Sequence, residues 1–139
     1  MAEQGKATKE NVITKETLHK MHEEQCVISP DTASRLMAQK AKGRQLVAVG
    51  TTVVRALETA YNDNHTLDTG SFSTDLFIKP GYPFKMVDAL ITNFHLPKST
   101  LLLLVAAFCG EALMMKAYEQ AIKDAYRFYS FGDAMLIRP

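Results

Sequence analysis

The side chains best suited to chemistry gather at four places along this chain. His19, His22, Glu23 and Glu24 form the densest ionisable cluster. A His-x-x-His pair beside two acids invites a metal, but its spacing is not the His-Glu-x-x-His of zinc hydrolases. No third well-spaced ligand follows, so no metal site is assigned. Proton transfer or hydrogen bonding by His22 fits better, because only imidazole titrates near neutrality without help. The second place is Gly50-Thr51-Thr52, where an apolar run feeds a glycine turn and a helix start. Free backbone N–H groups and the helix dipole converge there, which suits an anion. Arg55 lies one turn beyond Thr51 and can face the same anion, or pair with Glu58 as an ordinary surface couple. The turn lacks the lysine of a Walker loop and the glycine spacing of a dinucleotide fingerprint. Third is the polar knot at residues 93–100, centred on His95. On spacing alone, His95 is a packed histidine bonded to a backbone carbonyl. Fourth is Asp133 after Gly132, which reads as turn chemistry.

Periodicity supplies the elements that must hold these groups. Ser29-Pro30-Asp31 is a strong helix start, with Ser29 as cap, Pro30 at the first helical position and Asp31 at the positive end of the dipole. Ala33, Leu36, Met37 and Ala41 share one face, and Gly43 supplies the stop. Arg35, Lys40, Lys42 and Arg44 make a cationic side, read as a solvated face ahead of a phosphate-contacting patch. Residues 45–49 read as a short buried strand and residues 51–61 as a helix striped by Val53, Val54, Leu57 and Tyr61. A polar loop over 62–73 precedes a strand at 75–78, a Pro-Gly turn at 79–82 and a second strand at 87–94. Ser99 or Thr100 caps a helix that is apolar on every side from Leu101 to Phe108 and therefore buried. A further helix after Gly110 carries Met114, Tyr118, Ala121, Ala125 and Phe128 on one stripe. Its methionines are core filler. A turn and a last strand close the chain at 129–137.

Composition narrows the class. The chain has 139 residues, 47% hydrophobic and 22% charged, the make-up of one ordinary globular domain. Sixteen Lys and Arg against 15 Asp and Glu leave a net charge of +1, so no molecule-wide basic field draws it to nucleic acid. Cys26 and Cys109 lie too far apart for a zinc ribbon or redox motif and read as reduced thiols. The first residues, MAEQGKATKE, lack the apolar core of a signal peptide, and the run from Leu101 to Cys109 is half a membrane span. The expectation is a cytoplasmic chain with a flexible segment at 1–12 and one α/β domain at 13–139, its small mixed sheet flanked by helices.

Four stretches carry a resemblance. HKMHEE at 19–24, VAVGTTVVRALE at 47–58, LFIKPGYPFKMVDALITNFHLPKSTLLLLVAAFCG at 76–110 and YRFYSFGDAMLI at 126–137 resemble, in order, the S-adenosylmethionine:tRNA ribosyltransferase-isomerase family of the queuosine pathway. The likeness covers nearly the whole chain, and ITNFHLPKST is long and compositionally unusual. Family members are longer, and the likeness is to their C-terminal part. Their N-terminal part, with its inserted β-barrel region, has no counterpart here. Val53 and Ala56 stand where the family often carries other small or polar residues.

The resemblance implies transfer and isomerisation of the ribosyl group of S-adenosylmethionine onto 7-aminomethyl-7-deazaguanine at the tRNA wobble position. The product is epoxyqueuosine, with adenine and methionine released. It implies no permanent cofactor, S-adenosylmethionine as co-substrate, and the anticodon loop as partner. His22, Glu24, His95 and Asp133 are the expected groups for proton handling or sulfonium and ribose contacts. Thr51, Thr52 and Arg55 are expected to hold a carboxylate or phosphate. Asn93, Lys98, Ser99 and Thr100 would form a second polar rim, and Tyr82, Phe94 and Phe131 would stack on a purine. The alternative is an incomplete subunit that binds tRNA or S-adenosylmethionine and needs a separate N-terminal half. An S-adenosylmethionine methyltransferase is disfavoured, since the glycine-rich loop and following acid of that fold are missing.

Overall fold

Helix α1, Pro30–Ala41, starts where its capping residues dictate. In this computed structural model, which describes residues 23–138, the Ser29 hydroxyl accepts the Thr32 N–H at 3.1 Å. Gly43 turns the chain away at a φ of 72°, a region costly for other residues. Of the expected face, Ala33 is buried while Leu36 and Met37 pack partly against the core. On the cationic side, Arg35 makes an exposed pair with Asp31 at 3.7 Å, and Lys40 donates to the Met86 carbonyl at 3.4 Å.

The remaining elements are β1 (Glu24–Ile28), β2 (Val47–Val49), α2 (Thr51–Ala60), β3 (Gly70–Thr74), β4 (Ala89–Asn93), α3 (Thr100–Cys109), α4 (Glu111–Lys123) and β5 (Ala134–Ile137). They form a three-stranded mixed sheet in the order β2-β4-β5 and a separate two-stranded pair, β1-β3. Strands β2 and β4 run parallel, β5 is antiparallel to β4, and β1 is antiparallel to β3. Across the larger sheet the pleat sorts side chains into rows. Ala48, Leu90 and Ile137 align and are all buried, and they join α3 and α4 in the hydrophobic core. Helix α3 is buried from Leu102 to Ala106, as its unbroken apolar sequence requires. Among the described residues no single helix is long and apolar enough to cross a membrane. The expected flexible segment at 1–12 lies outside the described residues.

Four strands differ from the periodicity reading. The one expected to be buried at 45–49 spans only Val47–Val49 and buries Ala48 alone, with Val47 and Val49 exposed. Two charged side chains of α2 explain most of the difference in two others. The expected strand at 75–78 is irregular, and the ladder instead lies at Gly70–Thr74, shortening the expected loop. Arg55, only 3% exposed, donates to the carbonyls of Leu76 at 3.0 Å and Thr74 at 3.2 Å. The Thr74 hydroxyl accepts the Leu76 N–H at 3.1 Å. Side chains thus satisfy the backbone groups a neighbouring strand would have used. At the other end, the expected strand at 87–94 begins only at Ala89. Glu58, 5% exposed, takes the N–H groups of Lys85, Met86 and Val87 at 3.0, 2.9 and 2.9 Å. The surface couple envisaged for Arg55 and Glu58 is therefore corrected: both are buried and serve different segments. Strand β1 was not foreseen, although its alternation of buried Cys26 and Ile28 with exposed Gln25 and Val27 is the period of a half-buried strand.

The Arg55 fork also meets the Glu24 carboxylate at 2.9 Å, joining α2, β1 and the segment after β3. Lysine would keep the charge but not the planar fork. Arg55→Lys is expected to lose about 1–2 kcal/mol in urea unfolding, as one or two buried carbonyls go unpaired.

Candidate active site

Parallel strands with intervening helices place ligands beyond their carboxyl ends. Here β2 ends at Val49 and β4 at Asn93, and an open crevice of about 360 Å³ lies against both ends. Its walls come from Val49, Gly50, Ile91, Thr92 and Asn93, and from the C-terminal turn through Tyr129, Ser130, Gly132, Asp133 and Ala134. Residues distant in sequence are held together by two backbone bonds. Gly50 N–H donates to the Ile91 carbonyl at 2.8 Å, and Tyr129 N–H donates to the Phe94 carbonyl at 2.9 Å. Gly50 takes a φ of 97°, which only glycine adopts cheaply, so that β2 passes directly into α2. Among the described residues no side chain caps α2, leaving its first-turn amides as an anion-attracting end beside the crevice.

The structure brings some of the sequence candidates together here and sends others elsewhere. Asn93 and Asp133 both line the crevice. Asp133 accepts from the Arg127 backbone N–H and from Arg127 Nε. The backbone N–H, above all, holds its carboxyl below the usual range, so it is a fixed anion and a weak base. Thr51 opens α2 next to Gly50, and the Thr52 hydroxyl donates to Glu24 Oε1 at 3.3 Å. Glu24 is thus held between Arg55 and Thr52 at the first turn of α2. Arg55, engaged by Glu24 and two carbonyls, occupies the place of a structural clamp. Phe131, in the turn that walls the crevice, is 68% exposed.

His95 lies behind the crevice wall. Its Nε2 bonds the Thr92 hydroxyl at 3.0 Å, and its backbone N–H donates to the Tyr118 hydroxyl at 2.8 Å. Burial lowers its pKa to about 4, so it is a neutral imidazole at physiological pH. The structure places Phe94 in the core, in ring contact with Tyr118, Tyr126 and Phe128. Tyr82 stacks edge-on against Phe84 and donates to Glu58 at 3.4 Å; burial, then the Glu58 charge, push it up to about 12. Lys98, Ser99 and Thr100 sit at the start of α3, away from the crevice walls, with Lys98 in the left-handed region at a φ of 61°. Ser99 occupies the N-cap position but its side chain makes no capping bond. His22 lies outside the described residues. Among those described, no three His, Cys, Asp or Glu side chains come together as a metal site. Cys26 and Cys109 are both free thiols, and burial raises each pKa.

Sequence reasoning missed Thr92, Tyr129 and Ser130. No local pattern in the sequence marks them; Tyr129 stands out only in the fold, where it takes a φ of 60° in the turn that walls the crevice.

Comparison with known proteins gives a consistent result. A family profile described as "Queuosine biosynthesis protein" matches residues 3–137. A protein of Halothermothrix orenii named S-adenosylmethionine:tRNA ribosyltransferase-isomerase is 57% identical over 119 residues, which cover 86% of this chain and 35% of the relative. One of Symbiobacterium thermophilum with the same name is 57% identical over 121 residues, covering 87% of this chain and 36% of the relative. The crystal structure of the S-adenosylmethionine tRNA ribosyltransferase of Thermotoga maritima superposes with a TM-score of 0.72 at 50% identity, covering 83% of this chain and 40% of that one. The chain thus spans about a third of the length of the curated relatives it matches.

Proposed function

The chain belongs to the queuosine biosynthesis protein family, and from that membership we propose that it serves ribosyl transfer from S-adenosylmethionine to the wobble base of tRNA. The supporting observation is the crevice at the ends of β2 and β4, which gathers Gly50, Asn93 and Asp133 from three of the family-like stretches. In this reading the methionine carboxylate sits at the uncapped N-terminus of α2 near Thr51 and Thr52. The Asp133 carboxylate faces the sulfonium, and Asn93 hydrogen-bonds the ribose. Phe131 offers a face for a purine. His95 orients the Thr92 hydroxyl from behind. The sulfonium acidifies the adjacent ribose carbon, a base removes that proton, and the amine of 7-aminomethyl-7-deazaguanine attacks as adenine and methionine leave. Such a reaction belongs in the cytoplasm, where its tRNA is.

The test is turnover. The chain is incubated with S-adenosylmethionine and tRNA carrying the deazaguanine, and free adenine is followed by mass spectrometry. Adenine is expected, and Asp133→Ala should lower its release by roughly 10²-fold through loss of the fixed anion. A folded chain that neither releases adenine nor binds S-adenosylmethionine by calorimetry sinks the proposal. Binding without release supports a second reading, in which the chain supplies one wall of the site. The open side of the crevice supports that reading.

A further inference from the structure

The turn between α4 and β5 is closed on itself by one side chain. Tyr126 N–H donates to the Ala121 carbonyl at 2.9 Å, and the Phe128 ring packs against Phe94 and Tyr118. Arg127, between them, therefore leaves the chain from a fixed point. At the other end Asp133 directly precedes β5, whose Ala134 pairs with Asn93. The two residues meet across the turn, where the backbone N–H and Nε of Arg127 both donate to Asp133, Nε at 3.5 Å. On its way the guanidinium passes over Gly132. A Cβ at that position would lie 3.2 Å from Nη2 and 3.3 Å from Cζ, closer than ordinary contact. Its φ of 125° is one that other residues rarely adopt.

Both donors use the same carboxylate oxygen, Oδ2, and among the described residues Oδ1 accepts no hydrogen bond. Asp133 lines the crevice. A single donor would fix where Oδ2 lies and still let the carboxyl swing about it. A second donor, arriving from the side chain, removes that freedom and holds the group ready. The attraction between the charges is a lesser matter, because the Arg127 side chain is 68% exposed and water screens it. What the guanidinium contributes is direction.

We propose that Arg127 is a positioning residue of the crevice: seated over Gly132, it holds Oδ2 of Asp133 and commits Oδ1 to the substrate. The inference rests on the role given to Asp133 above. It assigns the effect of Arg127 to its Nε donor and not to its charge, and those two can be pulled apart.

Glutamine carries an N–H as many bonds from Cα as Nε is, without the charge, whereas lysine keeps the charge and has a methylene at that place. Arg127→Ala should lower kcat for adenine release roughly tenfold, with KM for S-adenosylmethionine changed less than about twofold. Arg127→Gln should recover to within about threefold of the parent chain, and Arg127→Lys should stay near the alanine level. Melting should be unchanged in all three, since the side chain is exposed. Carbon NMR titration of the Asp133 carboxyl, on the same chain without substrate, should give the same order. Its midpoint should rise towards the ordinary carboxylate value in the lysine and alanine variants and less in the glutamine variant. Activity restored by lysine and not by glutamine would overturn the proposal and make Arg127 a plain cation, of the kind that meets a phosphate. Variants that match the parent chain in both readouts would overturn it too, as would a loss of activity that merely follows a loss of melting temperature. A parent chain that releases no adenine, with the titration order intact, would count against the reaction and leave the positioning standing.

Discussion

Glu58→Ala is expected to destabilise this chain by roughly 3–5 kcal/mol in urea unfolding, a large share of the stability of an ordinary domain. The reason is local. One carboxylate closes the backbone of Lys85, Met86 and Val87, and the last two of these residues are buried. Removing it strands two donors away from water, each costing roughly 1–3 kcal/mol, and releases the Tyr82 hydroxyl as well. The Lys85–Val87 segment leads into β4, which carries Thr92 and Asn93 to the crevice. Damage there should therefore spread to the site. Glu58→Gln should fall between the two, because its amide keeps one accepting oxygen and turns a donor towards donors. A loss under about 1 kcal/mol in the alanine variant would show that water replaces the carboxylate, and that the irregular backbone before β4 has another cause.

Acid should unfold the chain through His95. The folded chain binds its proton only near pH 4, whereas an unfolded histidine binds one near 6.5. Between those values the unfolded state holds more protons, so stability falls as the pH drops from about 6.5 to about 4 and levels off below. The drop is roughly 3 kcal/mol, the linkage cost of keeping a buried imidazole neutral. Chemical denaturation at half-unit pH steps measures it. In His95→Gln, which can still bond Thr92, the slope over that window should flatten. Asp133 works in the same direction but lower, losing its contribution as pH falls through its depressed value, and that slope should survive in the variant. A slope unchanged by His95→Gln would mean that the imidazole is protonated and solvated in the folded chain.

Both results depend on groups whose importance the sequence signalled unequally. His95 stood out as an imidazole in a polar knot before a buried helix, but nothing local distinguished a site residue from a packed one. Its partners, Thr92 and Tyr118, decide that, and Tyr118 comes from another helix. Glu58 looked like half of a surface pair because the i,i+3 spacing from Arg55 is all that a linear reading can use. In the fold, the two side chains leave α2 towards the backbones of separate segments, where they stand in for strand partners.

The sequence by itself determined the helices, the family and the burial of α3. Caps, glycine stops, apolar stripes and the long ITNFHLPKST block are local signals, each acting within a turn or along one unbroken stretch. The tertiary structure alone decided where β3 and β4 begin, which threonines and aromatics face the crevice, and that Asn93 and Asp133 meet beside Gly50. It also decided that one apolar row of the sheet is sealed while Val49 and Leu136 of the next stay exposed. These outcomes depend on which buried N–H, carbonyl or methyl group finds which partner far along the chain. No periodicity encodes that choice, because it is made by the cost of leaving a polar group unpaired or an apolar face wet once the elements have packed.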